Sequence, residues 1–457
     1  MYTHTIKTAF FLLMIVLGTS CRKYVDIGVA DNLISKENAF STDASATSAV
    51  LGIYSYYPMV YSQQYFTWLG GISADDLQYT GATAELLQFA QNNVLINNSV
   101  NENYLWIYPY QVIREANLAI NGITNSTGIS AGVKKQLLGE AKFIRAFIYL
   151  NLVNFFGEVP LSLDPVELNN GYLGRSSVDA VYTQVIADLK DAQSLLPETY
   201  AGTAALKVRA NKWAATALLA RVYLYTKDYA NAEAEATKVI GSGLYTMSAL
   251  GNTFVNTSSE TILQIYTYYG YSSFGSSYRT SSSASNVAPP TYALYPTVVS
   301  SFEAGDNRKT AWVDSTTYNG VKYYRLNKYK LNTATAGNEY NVMLRLAEQY
   351  LVRAEARAQQ TNIGGAQSDL NVVRTRAGLA NTTAATTGDL LTAIAQERKV
   401  ELFGEYAHRW FDLIRTNQAT NVLAPLKSSW KTTSVLMPVP YNQRLLNTNL
   451  SQNNGYQ

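Results

Sequence analysis

The chain of 457 residues contains one cysteine and two histidines. A single cysteine excludes a disulfide framework. It also excludes zinc sites built from four cysteines or from two cysteines and two histidines. Charge is scarce too. Asp, Glu, Lys and Arg make up 15% of the residues, against about 25% in an ordinary soluble domain. The 36 basic and 33 acidic side chains leave a formal charge of +3, too balanced for a nucleic-acid binder that works by bulk charge. The sequence holds no Walker motif and no G-x-G-x-x-G, so phosphate or dinucleotide binding has no support. It holds no G-x-S-x-G, so a nucleophile elbow has none either. What is abundant is apolar and aromatic material. Hydrophobic residues reach 47%, aromatic residues 12%, and tyrosine alone contributes 35. Such a chain is not disordered and is long enough to bury a sizeable core.

The first twenty residues, MYTHTIKTAFFLLMIVLGTS, have the layout of a secretory signal. Lys7 is the positive start, Ala9–Leu17 the apolar run, and Gly18, Thr19 and Ser20 the small residues before Cys21. The run of nine is far short of the roughly 20 residues that span a bilayer. The only cysteine would become the new N-terminus on cleavage, which resembles a bacterial lipoprotein signal with Cys21 as the lipidated residue. Each buried acyl CH2 contributes about 0.8 kcal/mol, so several chains anchor firmly. Residues 21–457 would then hang on a membrane by lipid alone.

Beyond residue 40 the pattern is helical. Ser41 or Thr42 caps a helix over 44–57 that Pro58 ends. Residues 61–81 read as an aromatic loop. Trp106, Tyr110 and Ile113 lie at helical spacing, with a helix start near Pro109. Residues 139–156, GEAKFIRAFIYLNLVNFF, are apolar on most of a helix circumference, the mark of a buried helix. Gly157 and Pro160 stop it. A second amphipathic helix covers 179–195. Residues 211–240 and 343–378 each resemble a tetratricopeptide helix–turn–helix unit, the second with its turn at Gly364-Gly365. Their separation of about 100 residues excludes a regular solenoid. A long helix is expected over 390–415, then an extended piece over 435–440. The fold class is mainly α, with tetratricopeptide-like pairs as a scaffold and long ordered loops with a few short strands as a face for ligand. The divisions are 1–20 (signal), 21–240 (N-terminal helical region), 241–342 (loop-rich aromatic insert) and 343–457 (C-terminal region), forming one integrated body.

Catalytic groups are few. After cleavage His408 is the remaining histidine. Glu405 and His408 have the Glu-x-x-His spacing of di-iron bundles, but the second histidine such a site needs does not exist. The plainer reading is a structural helix with charge pairs Glu405–Arg409 and Asp412–Arg415. Asp75-Asp76, beside Trp68 and Tyr79, is the most suggestive carboxylate pair for a glycosidase, or for ligand hydrogen bonding. The remaining signal is aromatic. Trp68, Tyr79, Tyr268, Tyr269, Tyr271, Phe274, Tyr278, Tyr292 and Trp312 lie in polar, loop-like contexts. Flat rings among hydrogen-bonding groups suit sugars, whose CH faces stack while their hydroxyls bond. With Asp75 and Asp76 these rings are the candidate ligand residues. Single-stranded nucleic acid also stacks on aromatics, but no basic cluster accompanies them.

Eight segments taken in order resemble the SusD-like (RagB/SusD) outer-membrane lipoproteins of Bacteroidetes. They are CRKYVDI, NAFSTDASATSAVLGIYS, LWIYPYQVIREANLAI, EAKFIRAFIYLNLVNFFGEVPL, AATALLARVYLYTKDYANAEAEATKVI, RLAEQYLVRAEARA, QERKVELFGEYAHRWFDLIR and MPVPYNQRLLNTNLSQNNGY. The resemblance implies a non-catalytic, surface-exposed lipoprotein that captures a nutrient, usually an oligosaccharide. It implies a SusC-type TonB-dependent transporter as partner, with no nucleic acid and no cofactor, a structural calcium being left open. A surface glycan hydrolase and a peptide-binding transporter subunit are the alternatives. Glu140, Arg145, Glu397, Arg409 and Asp412 read as residues that hold the fold.

Overall fold

The computed structural model describes residues 38–165, 170–202, 206–267, 270–278, 288–331 and 338–457. The leader and Cys21 lie outside the described residues, as do Tyr268 and Tyr269. In chain order the main elements are α1 (Asp43–Ser55), α2 (Tyr57–Ser73), β1 (Leu77–Tyr79), α3 (Ala84–Ala90), a π-helix (Asn101–Ile107), α4 (Tyr108–Asn125), α5 (Ala131–Phe156), α6 (Val178–Leu195), α7 (Lys212–Tyr225) and α8 (Tyr229–Gly241). There follow β2 (Thr261–Ile265), α9 (Ser273–Tyr278), β3 (Tyr292–Leu294), α10 (Pro296–Ser300), α11 (Asn307–Trp312), β4 (Val313–Tyr318), β5 (Val321–Leu326) and β6 (Asn341–Arg345). The chain ends with α12 (Leu346–Gln359), α13 (Ile363–Arg376), α14 (Thr387–Leu402), α15 (His408–Arg415), α16 (Ala419–Leu423) and α17 (Tyr441–Leu446).

The helices start where short polar side chains can accept orphan backbone N–H groups. Thr42 and Ser45 form a reciprocal capping box on α1. Asn211, Asp228, Asn362 and Thr386 cap α7, α8, α13 and α14. Pro58 does not end a helix. It sits in the first turn of α2, where its missing N–H costs nothing. The expected loop over 61–81 is therefore mostly helix. The turn of the second tetratricopeptide-like unit is residues 360–362, and Gly364-Gly365 belong to the first turn of α13.

The two units, distant in sequence, touch in space. α4, α5, α6, α7 and α8 pack each on the next, and α8 packs on α12, which carries α13 and α14. The array is thus continuous although its sequence is interrupted. α5 forms its centre, with Phe143, Ile144, Phe147, Ile148, Leu152 and Phe155 buried. Each such side chain contributes about 1.5–3 kcal/mol when taken from water. The interrupting residues supply β3, β4 and β5, which join β1 in an antiparallel sheet of order β1-β3-β5-β4, and the pair β2-β6. In the sheet Leu77 faces Leu294 and Tyr79 faces Tyr292, so the insert is stitched to the N-terminal region.

The expected helix over 390–415 is broken. Gly404, Tyr406 and Ala407 take φ of 69°, 38° and 58°, which ends α14 and starts α15 in a new direction. Glu405 and Arg409 therefore do not pair with each other. Glu405 bonds to Arg345 and Lys328, while Arg409 reaches Asp75. Asp412 does pair with Arg415, and also with Arg398. Arg145 pairs with Asp188, Glu140 with Arg209 and Glu397 with Arg308, as expected for residues that hold the fold.

Candidate functional site

Tyr57, Tyr61 and Tyr65 are four apart, which puts three rings on one face of α2. The π-helix and the start of α4 bring Tyr104 and Tyr108 against them. Tyr65 and Tyr104 stack with ring centres 3.6 Å apart and planes 7° off parallel. Tyr61 lies 4.1 Å from Tyr57 and 5.9 Å from Tyr104, and Tyr104 meets Tyr108 edge-on at 5.2 Å. The ladder continues inward. Tyr65 abuts Trp68 at 5.3 Å, Trp68 stacks on Tyr292 at 5.1 Å, and Tyr292 meets Tyr79 at 5.8 Å. Tyr57 is 53% exposed, and Tyr61, Tyr65, Tyr79, Tyr104 and Tyr108 are half-buried. The result is a strip of six partly open phenol rings backed by buried Trp68 and Tyr292.

Several predicted residues fall on or under this strip. Tyr79 is on it. Trp68 and Tyr292 are its floor, and Phe274 packs beneath Trp68 with Tyr278 behind, both buried. Tyr271 is half-buried. Trp312 is not part of the strip. It is 1% exposed, donates to the Leu250 carbonyl at 2.9 Å and packs on Phe254 and Phe403. The five tyrosines on α2, the π-helix and α4 were not among the predicted residues. Their i, i+4, i+8 spacing was the available signal, obscured by reading 61–81 as a loop. A π-helix widens the backbone by one residue per turn and is frequent at functional sites.

Asp75 and Asp76 are buried and point inward, which corrects their assignment to the ligand surface. Asp75 takes two hydrogen bonds from Arg409, at 2.6 and 3.1 Å, and an ion pair from Lys399 at 3.0 Å. Burial alone would raise its pKa, but Arg409 and Lys399 pull it below the usual carboxylate range. Asp76 accepts the Gly404 N–H at 2.7 Å. Burial pushes its carboxyl up to about 7, with the Gly404 bond opposing and the Asp75 charge adding. Any other residue at Gly404 would be strained. Its φ is left-handed, and a Cβ would stand 1.9 Å from a Leu326 methyl. Nearby, Lys427 donates to the Ile72 and Ser73 carbonyls at the end of α2. Adjacent acids thus clamp the α2–β1 corner to the C-terminal region and leave no carboxylate pair open at that corner. His408 is buried, and its pKa lies well below the usual value, through desolvation first and then the charges of Arg221 and Arg398. It stands neutral in the core. Among the described residues no group of three or more His, Cys, Asp or Glu side chains is arranged to hold a metal.

Residues 40–224 match a family model described as "Starch-binding associating with outer membrane". Residues 267–456 match the SusD family. The chain belongs to the SusD-like family. SusD-like protein P38 of Formosa agariphila is 25% identical over 98% of both chains. Among solved structures, a laminarin-binding SusD-like protein superposes with a TM-score of 0.77 at 24% identity, covering 91% of this chain and 100% of its own. Surface glycan-binding protein A of Bacteroides uniformis does so with 0.75 at 22%, covering 90% and 99%. At these identities the likeness establishes the fold.

The Asp76 carboxyl has a measurable consequence. An unfolded aspartate titrates near 3.9, so between about pH 4 and pH 7 the folded chain holds a proton that the unfolded chain releases. Stability attributable to this group is complete below about pH 4 and lost as the pH rises through 7. Asp76→Asn keeps an acceptor for Gly404 and removes the titration. Denaturant unfolding at several pH values should show the variant gaining on wild type from pH 4 to 7. Parallel stability curves would refute the assignment.

Proposed function

We propose that this SusD-like protein is a non-catalytic surface receptor for an oligosaccharide and delivers it to a TonB-dependent outer-membrane transporter. The open tyrosine strip carries the reading. Six clustered, partly open phenol rings offer apolar surface to the CH faces of sugars, and their hydroxyls, some of which bond one another, lie where sugar hydroxyls can meet them. The family description and the printed ligands of the solved relatives support a glycan. The clamped, inward-pointing Asp75 and Asp76 support binding without turnover. No helix among the described residues is long and apolar enough to cross a membrane, which is compatible with tethering through a lipidated Cys21 at the cell surface.

The test is calorimetry of residues 22–457 with maltoheptaose and laminarihexaose. Tyr65→Ala and Tyr104→Ala should each weaken binding by about 1 kcal/mol or more, the scale of a base stacked on an aromatic ring. No new reducing ends should appear. Unchanged affinity in both variants, or sugar cleavage, defeats the proposal. For the tether, Cys21→Ala should leave the protein unacylated and out of the outer-membrane fraction; wild-type retention there would contradict it.

A further inference from the structure

A cleft of about 670 Å³ lies between the turn joining α7 to α8, the C-terminal end of α12, and α14 and α15. Five basic side chains line it and two acidic ones. The two acids are already taken. Asp412 pairs with Arg398 and Arg415, and Glu355 accepts from both terminal nitrogens of Arg415. Three cations are left over. Arg409 and Lys399 share one partner, the buried Asp75, and both touch its Oδ2, Arg409 at 3.1 Å and Lys399 at 3.0 Å. Two positive groups therefore crowd against a single negative one. Arg409 spends Nε and Nη2 on Asp75. Its Nη1 has no hydrogen-bond partner among the described residues and is not among the buried polar atoms. Arg409 and Lys399 keep 15% and 12% of their side-chain surface exposed, so a ligand in the cleft can reach them. Lys227, exposed in the α7–α8 turn, has no ion pair among the described residues.

We propose that this cleft binds a small organic acid, with its carboxylate on Arg409 and Lys399 and its aliphatic body on Leu391, Leu413 and Val422. The inference does not depend on what the tyrosine strip takes. Leu391 and Val422 are half-buried and Leu413 is buried, so the walls beside the charges are apolar. A bond from a guanidinium or ammonium to a carboxylate is about twice as strong as one between neutral groups, and partial burial of the cations strengthens their attraction for an anion. An ammonium has three donors, and Asp75 occupies one side of Lys399 only. A neutral ligand leaves the positive excess as it is. A bare inorganic anion answers the charge but leaves the apolar walls in water. It also fills little of a cleft whose volume lies within the range of small-molecule sites. Lys227, on a different element from the other two cations, gives a dicarboxylate a second anchor. The acid takes the free edge of a guanidinium whose other edge clamps the α2–β1 corner, so it does not compete with Asp75.

The experiment is calorimetry of residues 22–457 with hexanoate and adipate, each set against its uncharged amide, and with inorganic phosphate at matched ionic strength. Wild type should bind the acids saturably at one site, and the amides and phosphate at least tenfold more weakly. Lys399→Gln leaves the Arg409 bonds to Asp75 in place, and Lys227→Gln changes only an exposed turn, so both variants should keep the circular dichroism of wild type. Lys399→Gln should weaken both acids at least fivefold. Lys227→Gln should weaken adipate more than hexanoate. Tyr65→Ala should leave acid binding unchanged. Acid binding that survives the double lysine variant, or that is lost with Tyr65→Ala, overturns the proposal. An amide or phosphate that binds as tightly as the acids overturns it too, as does a folded wild type that binds neither acid.

Discussion

The structure depends on a buried cluster of charges around Arg345. This side chain, 2% exposed, bonds to Glu405 at 2.8 and 2.9 Å, to Glu260 at 3.0 Å and to Glu401. Arg376 joins Glu260 and Glu401 from α13, and Arg308 joins Glu401, Glu397 and Asp306 from α11. Lys328 caps the end of α14 through the Glu401 and Phe403 carbonyls and pairs with Glu405. Burial would raise the pKa of Glu401, but Arg376, Arg345, Arg308 and Lys328 hold it well below the usual range. Such a cluster adds little net stability compared with an apolar core, yet removing one partner costs about 3–5 kcal/mol. It behaves as a register device. Elements far apart in sequence must meet in one arrangement or leave charges unpaired.

From that cluster the constraint passes to the tyrosine strip in two steps. Glu405 is fixed by Arg345 and Lys328, which sets the left-handed link at Gly404, Tyr406 and Ala407. The link and the following α15 then hold Asp76 and Asp75, which fix where α2 ends and β1 begins. Tyr65 and Trp68 precede that corner and Tyr79 follows it. The rings therefore sit on a backbone held from behind by ion pairs. Rigid rings lose little conformational freedom on binding, which favours affinity for a weakly interacting ligand such as a sugar.

The helical class, the buried 139–156 helix and both helix pairs were legible because 3.6-residue periodicity and capping residues are local signals. The role of Asp412 with Arg415 was legible for the same reason. The broken helix at 403–407 was not. Its apolar pattern runs on, and the break is held by Arg345 and Lys328 on Glu405 and by Asp76 on Gly404, all distant in sequence. The strip was half legible. Trp68, Tyr79 and Tyr292 stand out by composition, but Pro58 after an apolar helix has the local look of a stop and is in fact a start, which hides Tyr57, Tyr61 and Tyr65 as one face. Trp312 misled because polar neighbours in sequence suggested a surface, whereas its ring faces Lys328 and Arg376 inside the core.

The most direct measurement is a crystal structure of residues 22–457 grown with whichever of the two oligosaccharides binds more tightly. Intact sugar rings lying along Tyr61, Tyr65 and Tyr104, with the backbone of the Gly404 link unmoved, are the predicted result. A bare tyrosine strip with sugar bound elsewhere, or a cleaved glycosidic bond, would contradict the account.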